Sequence, residues 1–174
     1  EVVRDYDRAA PLGTGSIKVG GNYAASMLPA HRAHLDGFAS VLFLDALEKK
    51  YIDEAGPANF FGIKDGRYIT PQSVSILPSI TNMSLEQIAE DIGLKVERRR
   101  VPIEELDTFE EAGACGTAAI ISPISKVYDR VNDITYSYGE IAGPYSTKLY
   151  ITLRAIQEGE IDDKHNWTTV IEGI

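Results

Sequence analysis

Residues 13–26 read Gly-Thr-Gly-Ser-Ile-Lys-Val-Gly-Gly-Asn-Tyr-Ala-Ala-Ser and set Lys18 between two glycine pairs, Gly13/Gly15 and Gly20/Gly21. Glycine is used where backbone must pass close to something bulky or take a positive φ. A lysine held that way suits covalent imine chemistry, in which an amine shielded from water attacks a carbonyl. The same spacing fits a solvated lysine in a flexible loop, and spacing alone does not decide between the two. His31 and His34 stand at i, i+3, as two metal ligands could, but a site needs three or four and the sequence offers no third; no metal is expected.

The elements that must position these residues follow from the hydrophobic pattern. A helix is expected over Ser26–Leu35, with Pro29 tolerated in its first turn and Gly37 ending it. Ser40–Asp45 reads as a buried strand. Asn59–Ile63 and Arg67–Thr70 flank Lys64-Asp65-Gly66, a hairpin signal because Asp-Gly tolerates positive φ. Leu85, Ile88, Ala89 and Ile92 fall on one helical face, and Gly93 stops that helix; its start is Thr81 or Ser84, the latter forming Ser-x-x-Gln with Gln87. Lys95–Pro102 alternates as a strand, Ile103–Glu111 reads as a short acidic helix and Ala118–Ile121 as a short buried strand. A hairpin is expected around Asn132-Asp133, and Leu149, Leu153 and Ile156 line a last helix ending at Gly159. Hairpins mixed with helices predict a mixed α/β (α+β) domain rather than a doubly wound parallel sheet.

The 174 residues carry 26 acidic against 17 basic side chains, a net charge of −9, and are 44% hydrophobic. That is globular composition, long enough for one sizeable core and too apolar for a disordered acidic tail. The negative charge gives no general attraction to nucleic acid or anionic lipid, and Arg98-Arg99-Arg100 is too short a patch to reverse this. No apolar run approaches the roughly 20 residues of a membrane span. One cysteine, Cys115, precludes an internal disulfide. A soluble, cytoplasmic protein with one domain over 1–174 is the expectation.

The lysine segment closely resembles that of the branched-chain amino acid aminotransferases, fold-type IV pyridoxal-phosphate enzymes. The likeness continues through Val41-Leu-Phe-Leu-Asp45, Tyr51-Ile-Asp-Glu-Ala-Gly-Pro-Ala-Asn-Phe60, Ile76-Leu-Pro-Ser-Ile-Thr81, Gly116-Thr-Ala-Ala119, and Gly159 followed by Trp167. The resemblance implies a barrel-like mixed sheet surrounded by helices. It makes Lys18 the catalytic and cofactor-bearing lysine, which also moves a proton between the substrate α-carbon and the cofactor. Glu54 would face the pyridine nitrogen, where a carboxylate favours the protonated ring. Tyr23 would bond the cofactor's 3′-oxygen; Ile80 and Thr81 would hold its phosphate at a helix N-terminus. Thr117 would complete the phosphate side and, with Ala118, meet the substrate carboxylate. Without the motif, each has an ordinary reading: Glu54 as a solvated acid, Tyr23 as a packing ring, Thr81 as an N-cap, Thr117 as a turn residue.

The implied activity is transfer of the amino group of leucine, isoleucine or valine to 2-oxoglutarate, with homodimeric assembly. A D-amino acid aminotransferase, an aminodeoxychorismate lyase or an inactive domain are the alternatives. The family's phosphate loop commonly reads Leu-Pro-Gly-Ile-Thr-Arg, whereas Leu77–Asn82 reads Leu-Pro-Ser-Ile-Thr-Asn. Some members carry a Cys-x-x-Cys after the position of Cys115; Ala119 and Ser122 stand there instead. Family chains run to about twice this length, so the sequence is expected to correspond to the C-terminal large domain, as a processed or cut chain without the N-terminal small domain.

Overall fold

Asp65 and Gly66 take positive φ, 49° and 67°, and join β4 (Ala58–Lys64) to β5 (Arg67–Pro71) with Lys64 opposite Arg67. This is the two-residue hairpin that Asp-Gly predicts. The computed structural model describes residues 1–171. Around that hairpin an eight-stranded mixed sheet is assembled from β1 (Val2–Val3), β2 (Leu42–Leu44), β3 (Ile52–Ala55), β4, β5, β6 (Lys95–Arg99), β7 (Glu111–Gly116) and β8 (Ile120–Pro123). The pairs β1·β2 and β5·β6 are parallel and the rest antiparallel.

β4 is the branch point. β3 pairs with its start, β5 with its end, and β7 runs beside Asn59 to Ile63. Alternate side chains of a strand point to opposite faces, so β4 sends Phe60 into one core and Phe61 and Ile63 into the other. Phe60 joins Leu42, Leu44, Ile52, Ile69, Val101, Leu106 and Phe109. Phe61 and Ile63 join Leu85 and Ile88 of α2 (Ile80–Asp91) and Leu149, Leu153 and Ile156 of α3 (Pro144–Glu158). Strands covered on both faces read as continuous apolar runs, as Phe60-Phe61 does. A separate hairpin pairs β9 (Lys126–Asp129) with β10 (Ile134–Ser137), turning through Asp133 at φ 52°. Gly93 (φ 90°) follows α2, and Gly159 (φ 73°) caps α3 in the left-handed conformation.

Several boundaries differ from the sequence reading. The first helix, α1, spans Gly20–Leu35, so it starts at the glycine pair rather than at Ser26, and Pro29 is its tenth residue rather than a first-turn one. α2 is capped by Ser79, whose hydroxyl accepts from the Asn82 N–H at 3.2 Å; Thr81 lies inside the helix, and Gln87 bonds Glu90 instead of closing a box on Ser84. Ser79 therefore supplies what a serine does at a helix start and a glycine cannot, a side-chain oxygen for an orphan N–H. The acidic segment is a 3₁₀ helix over Ile103–Thr108, because Glu111 already belongs to β7. Ala118 sits in the turn before β8, which begins two residues later at Ile120. β6 stops at Arg99, three residues short of Pro102.

Candidate functional site

Two buried side chains fix the loop that carries Lys18. Asn22, in the first turn of α1, donates from Nδ2 to the carbonyls of Thr14 (2.6 Å) and Ile17 (2.9 Å), and its Oδ1 accepts from the Thr14 hydroxyl (3.1 Å). Arg8 reaches the same loop from the other side, Nη2 donating to the Gly15 carbonyl at 3.0 Å. Gly15 itself is pressed against Ser75: a Cβ there would lie 2.6 Å from Ser75 Cα, so only glycine fits. The lysine loop thus rests on the segment that leads through Leu77 to the start of α2. Lys18 is exposed, projecting from the loop just before α1.

Glu54 is the buried acid of the cleft, with only 3% of its surface exposed. It forms an ion pair with Arg8, whose Nε lies 2.5 Å from Oε2. Its Oε1 accepts from the Leu77 N–H and from Asn59 Nδ2, each at 3.3 Å. Asn59 Nδ2 also donates to the Leu77 carbonyl at 3.1 Å, so it spans strand β3 and the approach to α2. Burial raises the Glu54 carboxyl to about 7, against the opposing pull of the Arg8 charge and the Leu77 N–H. Tyr23 and Glu54 line one small cleft with Arg8, Asn22, Ser26 and Leu77.

Register relates the remaining residues to that cleft. Glu54 stands opposite Asn59, and Asn59 opposite Cys115, so the turn after β7 lies at the same end of the sheet as the Gly56-Pro57 turn after β3. Thr117 and Ala118 occupy the β7 turn and are exposed. The turn ends on Ile120 at φ 60°, with the Ile121 N–H donating to the Ala119 carbonyl at 2.7 Å. Positive φ at a β-branched residue is strained, and such strain persists where the surroundings over-determine it.

The start of α2 is anchored by Asn82. Its Oδ1 accepts from the Tyr68 hydroxyl at 2.7 Å and lies 3.6 Å from Cys115 Sγ, and its Nδ2 donates to Thr70 Oγ1 at 3.0 Å. The residue in the arginine position of the family loop is here a buried strut between helix and sheet. Ile80 and Thr81, in the first turn, have N–H groups without an intrahelical partner, as helix geometry requires. Ile80 is exposed and Thr81 buried.

Of the residues singled out in the sequence, Tyr23 and Glu54 share the cleft, while Lys18, Ile80, Thr81, Thr117 and Ala118 occupy the loop, helix start and turn around it. Arg8, Asn22 and Asn59 were not singled out. Asn22 lay inside the quoted motif, and its type just after a glycine pair was the available signal. Arg8 had none beyond standing five residues before Gly13. His31 and His34 are exposed on α1, and Trp167 stacks on His165 at 4.3 Å. Among the described residues, no helix is long and apolar enough to cross a membrane.

Residues 2–127 match the family model described as amino-transferase class IV. The branched-chain-amino-acid aminotransferase of Haemophilus influenzae is 46% identical over 178 residues, covering 98% of this chain and 52% of that protein. Its namesake in Helicobacter pylori is 49% identical, covering 93% and 47%. The chain spans about half the length of the curated relatives it matches. Among solved structures, the Escherichia coli branched-chain amino acid aminotransferase superposes with a TM-score of 0.83 at 32% identity, over 95% of this chain and 53% of that one. The Thermobaculum terrenum branched-chain amino acid aminotransferase, in its PLP-bound holo form, gives 0.79 at 29% identity, over 92% and 51%.

Proposed function

The chain belongs to the class IV aminotransferase family, and we propose that it forms the cofactor-binding part of a pyridoxal-phosphate-dependent branched-chain amino acid aminotransferase. The observation that carries the proposal is Arg8, which ties the glycine loop of Lys18 and the buried Glu54 into one site. The donor set suits the cofactor: a buried carboxylate for a ring nitrogen, unpaired N–H groups at a helix start for a phosphate and an amine on a braced loop.

When bound, pyridoxal phosphate supplies the electron sink that lets an amino group pass between an amino acid and a 2-oxo acid. Lys18 Nζ would hold the cofactor and carry the proton at the substrate α-carbon. Glu54 would face the ring nitrogen and favour its protonated form, Tyr23 would bond the 3′-oxygen, and the Ile80 and Thr81 N–H groups would take the phosphate. Thr117 joins the phosphate side and, with Ala118, meets the substrate carboxylate. Leucine, isoleucine or valine with 2-oxoglutarate are the proposed substrates, in a cytoplasmic homodimer.

The test is borohydride reduction with added pyridoxal phosphate, followed by intact mass and peptide mapping. One cofactor on Lys18, lost in Lys18→Ala, is expected; no incorporation in the intact protein would sink the proposal. Turnover of leucine in preference to D-alanine and aminodeoxychorismate separates the activity from those of related enzymes.

A further inference from the structure

We propose that Arg8 is a positioning residue that serves both halves of the site at once, holding the Glu54 carboxylate with one arm and the backbone of the Lys18 loop with the other. The inference rests on the cofactor reading above but concerns a residue outside the segments that carry the resemblance.

The geometry leaves Arg8 little other purpose. Its side chain is 7% exposed, and a guanidinium is placed so deeply only with partners. The two it has within the site are Glu54 Oε2 and the Gly15 carbonyl. Glu54 is faced by Arg8 from the N-terminal segment, by Asp53 on its own strand, by the neutral Asn59 of β4, by the Leu77 N–H before α2, by Cys115 of β7 and by Tyr23 of α1 across the cleft. Arg8 is the one cation in that set. Desolvation and Asp53 both favour the protonated acid, so the carboxylate needed opposite a protonated ring nitrogen depends on Arg8. The second arm matters because a planar fork can grip two acceptors in fixed relation, which a lysine cannot. Gly15 cannot retreat, being backed by Ser75, so the arm fixes the loop three residues before Lys18.

The experiment uses the intact protein with ¹³C-labelled glutamate carboxyls, the Glu54 resonance being assigned by its loss in Glu54→Gln. Without pyridoxal phosphate, Glu54 is expected to titrate at about 7. In Arg8→Met the midpoint rises by about one pH unit or more, and affinity for added pyridoxal phosphate at pH 8 falls about tenfold. Arg8→Lys restores the charge without the fork: the midpoint returns toward wild type while the affinity stays low. An unmoved midpoint in Arg8→Met overturns the role at Glu54. Full affinity in Arg8→Lys overturns the role at the loop. Should Arg8→Met not fold, the equally uncharged Arg8→Gln replaces it in the midpoint test with the same expected rise, while Arg8→Lys still tests the loop. Wild-type protein that takes up no pyridoxal phosphate refutes the cofactor reading instead, and the Glu54 midpoint then still decides whether Arg8 controls that carboxyl.

Discussion

Replacing Glu54 by glutamine removes a carboxyl whose burial raises its pKa from 4.5 to about 7. In the unfolded chain this group loses its proton near the lower value, and in the native protein near the higher. Between them the native state holds a proton that the unfolded state has released, so stability falls as pH rises and levels off above about 7. Integrating that difference from pH 5 to pH 8, wild type should lose about 2.5 kcal/mol more than Glu54→Gln. Comparing the change with pH, rather than the stability at one pH, cancels whatever Glu54→Gln does to the Arg8 contact. The assay is urea unfolding of both proteins at several pH values without added cofactor. Parallel curves, within about 0.5 kcal/mol, would show that Glu54 is not desolvated as its surroundings require. Curves that diverge with the opposite sign would mean that the Arg8 charge outweighs burial.

Asn22→Ala removes two hydrogen bonds donated to the lysine loop and should cost about 1–3 kcal/mol. Amide exchange at Thr14–Val19 should quicken, and borohydride trapping at Lys18 should drop; unchanged exchange would refute the bracing role. Ser79→Ala deletes the cap of α2 and should lower stability by about 1 kcal/mol, with Ser79→Gly losing less, as read by thermal unfolding. Cys115 is 1% exposed, and burial pushes its thiol up to about 12. Iodoacetamide at pH 8 should therefore leave it unmodified in native protein and alkylate it in urea.

The turn glycines and the Asp-Gly hairpin were legible because each demands a backbone conformation that few other residues adopt. β7 was not, since Glu111-Ala-Gly-Ala-Cys-Gly116 contains no β-branched or aromatic residue. Its small residues make sense only beside their neighbours. The Phe61 ring lies against Gly113, and the Phe109 ring fills the space at Gly62, where a Cβ would approach Phe109 Cδ1 to 2.6 Å. β-propensity failed here because tertiary packing decided the strand. The start of α1 was misplaced for a related reason: glycine is a poor helix former, but at Gly20 and Gly21 it occupies a first turn held from the loop side by Asn22. Glu54 and Lys18, the carboxyl and lysine of the proposed site, stand out in the sequence through their motifs, and Asn59 lies inside the same quoted segment as Glu54. Arg8 lies outside the quoted motifs, and the long-range contacts by which these side chains hold the site leave no periodic trace in the chain.

Those supports divide the site into a rigid part and a suspended part. Glu54, Asn59 and Cys115 form a row across three paired strands, and Asn82 of α2 reaches the same row at Cys115. Leu77 is bonded to Glu54 through its N–H and to Asn59 through its carbonyl, and the first turn of α2 begins three residues later. The carboxyl proposed to face a ring nitrogen and the N–H groups proposed for a phosphate are thus fixed to one framework, as a preorganised site for the two ends of a ligand requires. Lys18 is held differently, on a loop braced by side chains at Thr14, Gly15 and Ile17, with no bond from the framework to the lysine side chain among the described residues. The proposed role of Lys18, holding a cofactor and carrying a proton away from it, needs that remaining freedom. Arg8 is where the two parts meet, which is why changing it should disturb charge at one end and loop position at the other, while changing Asn22 should disturb the loop alone.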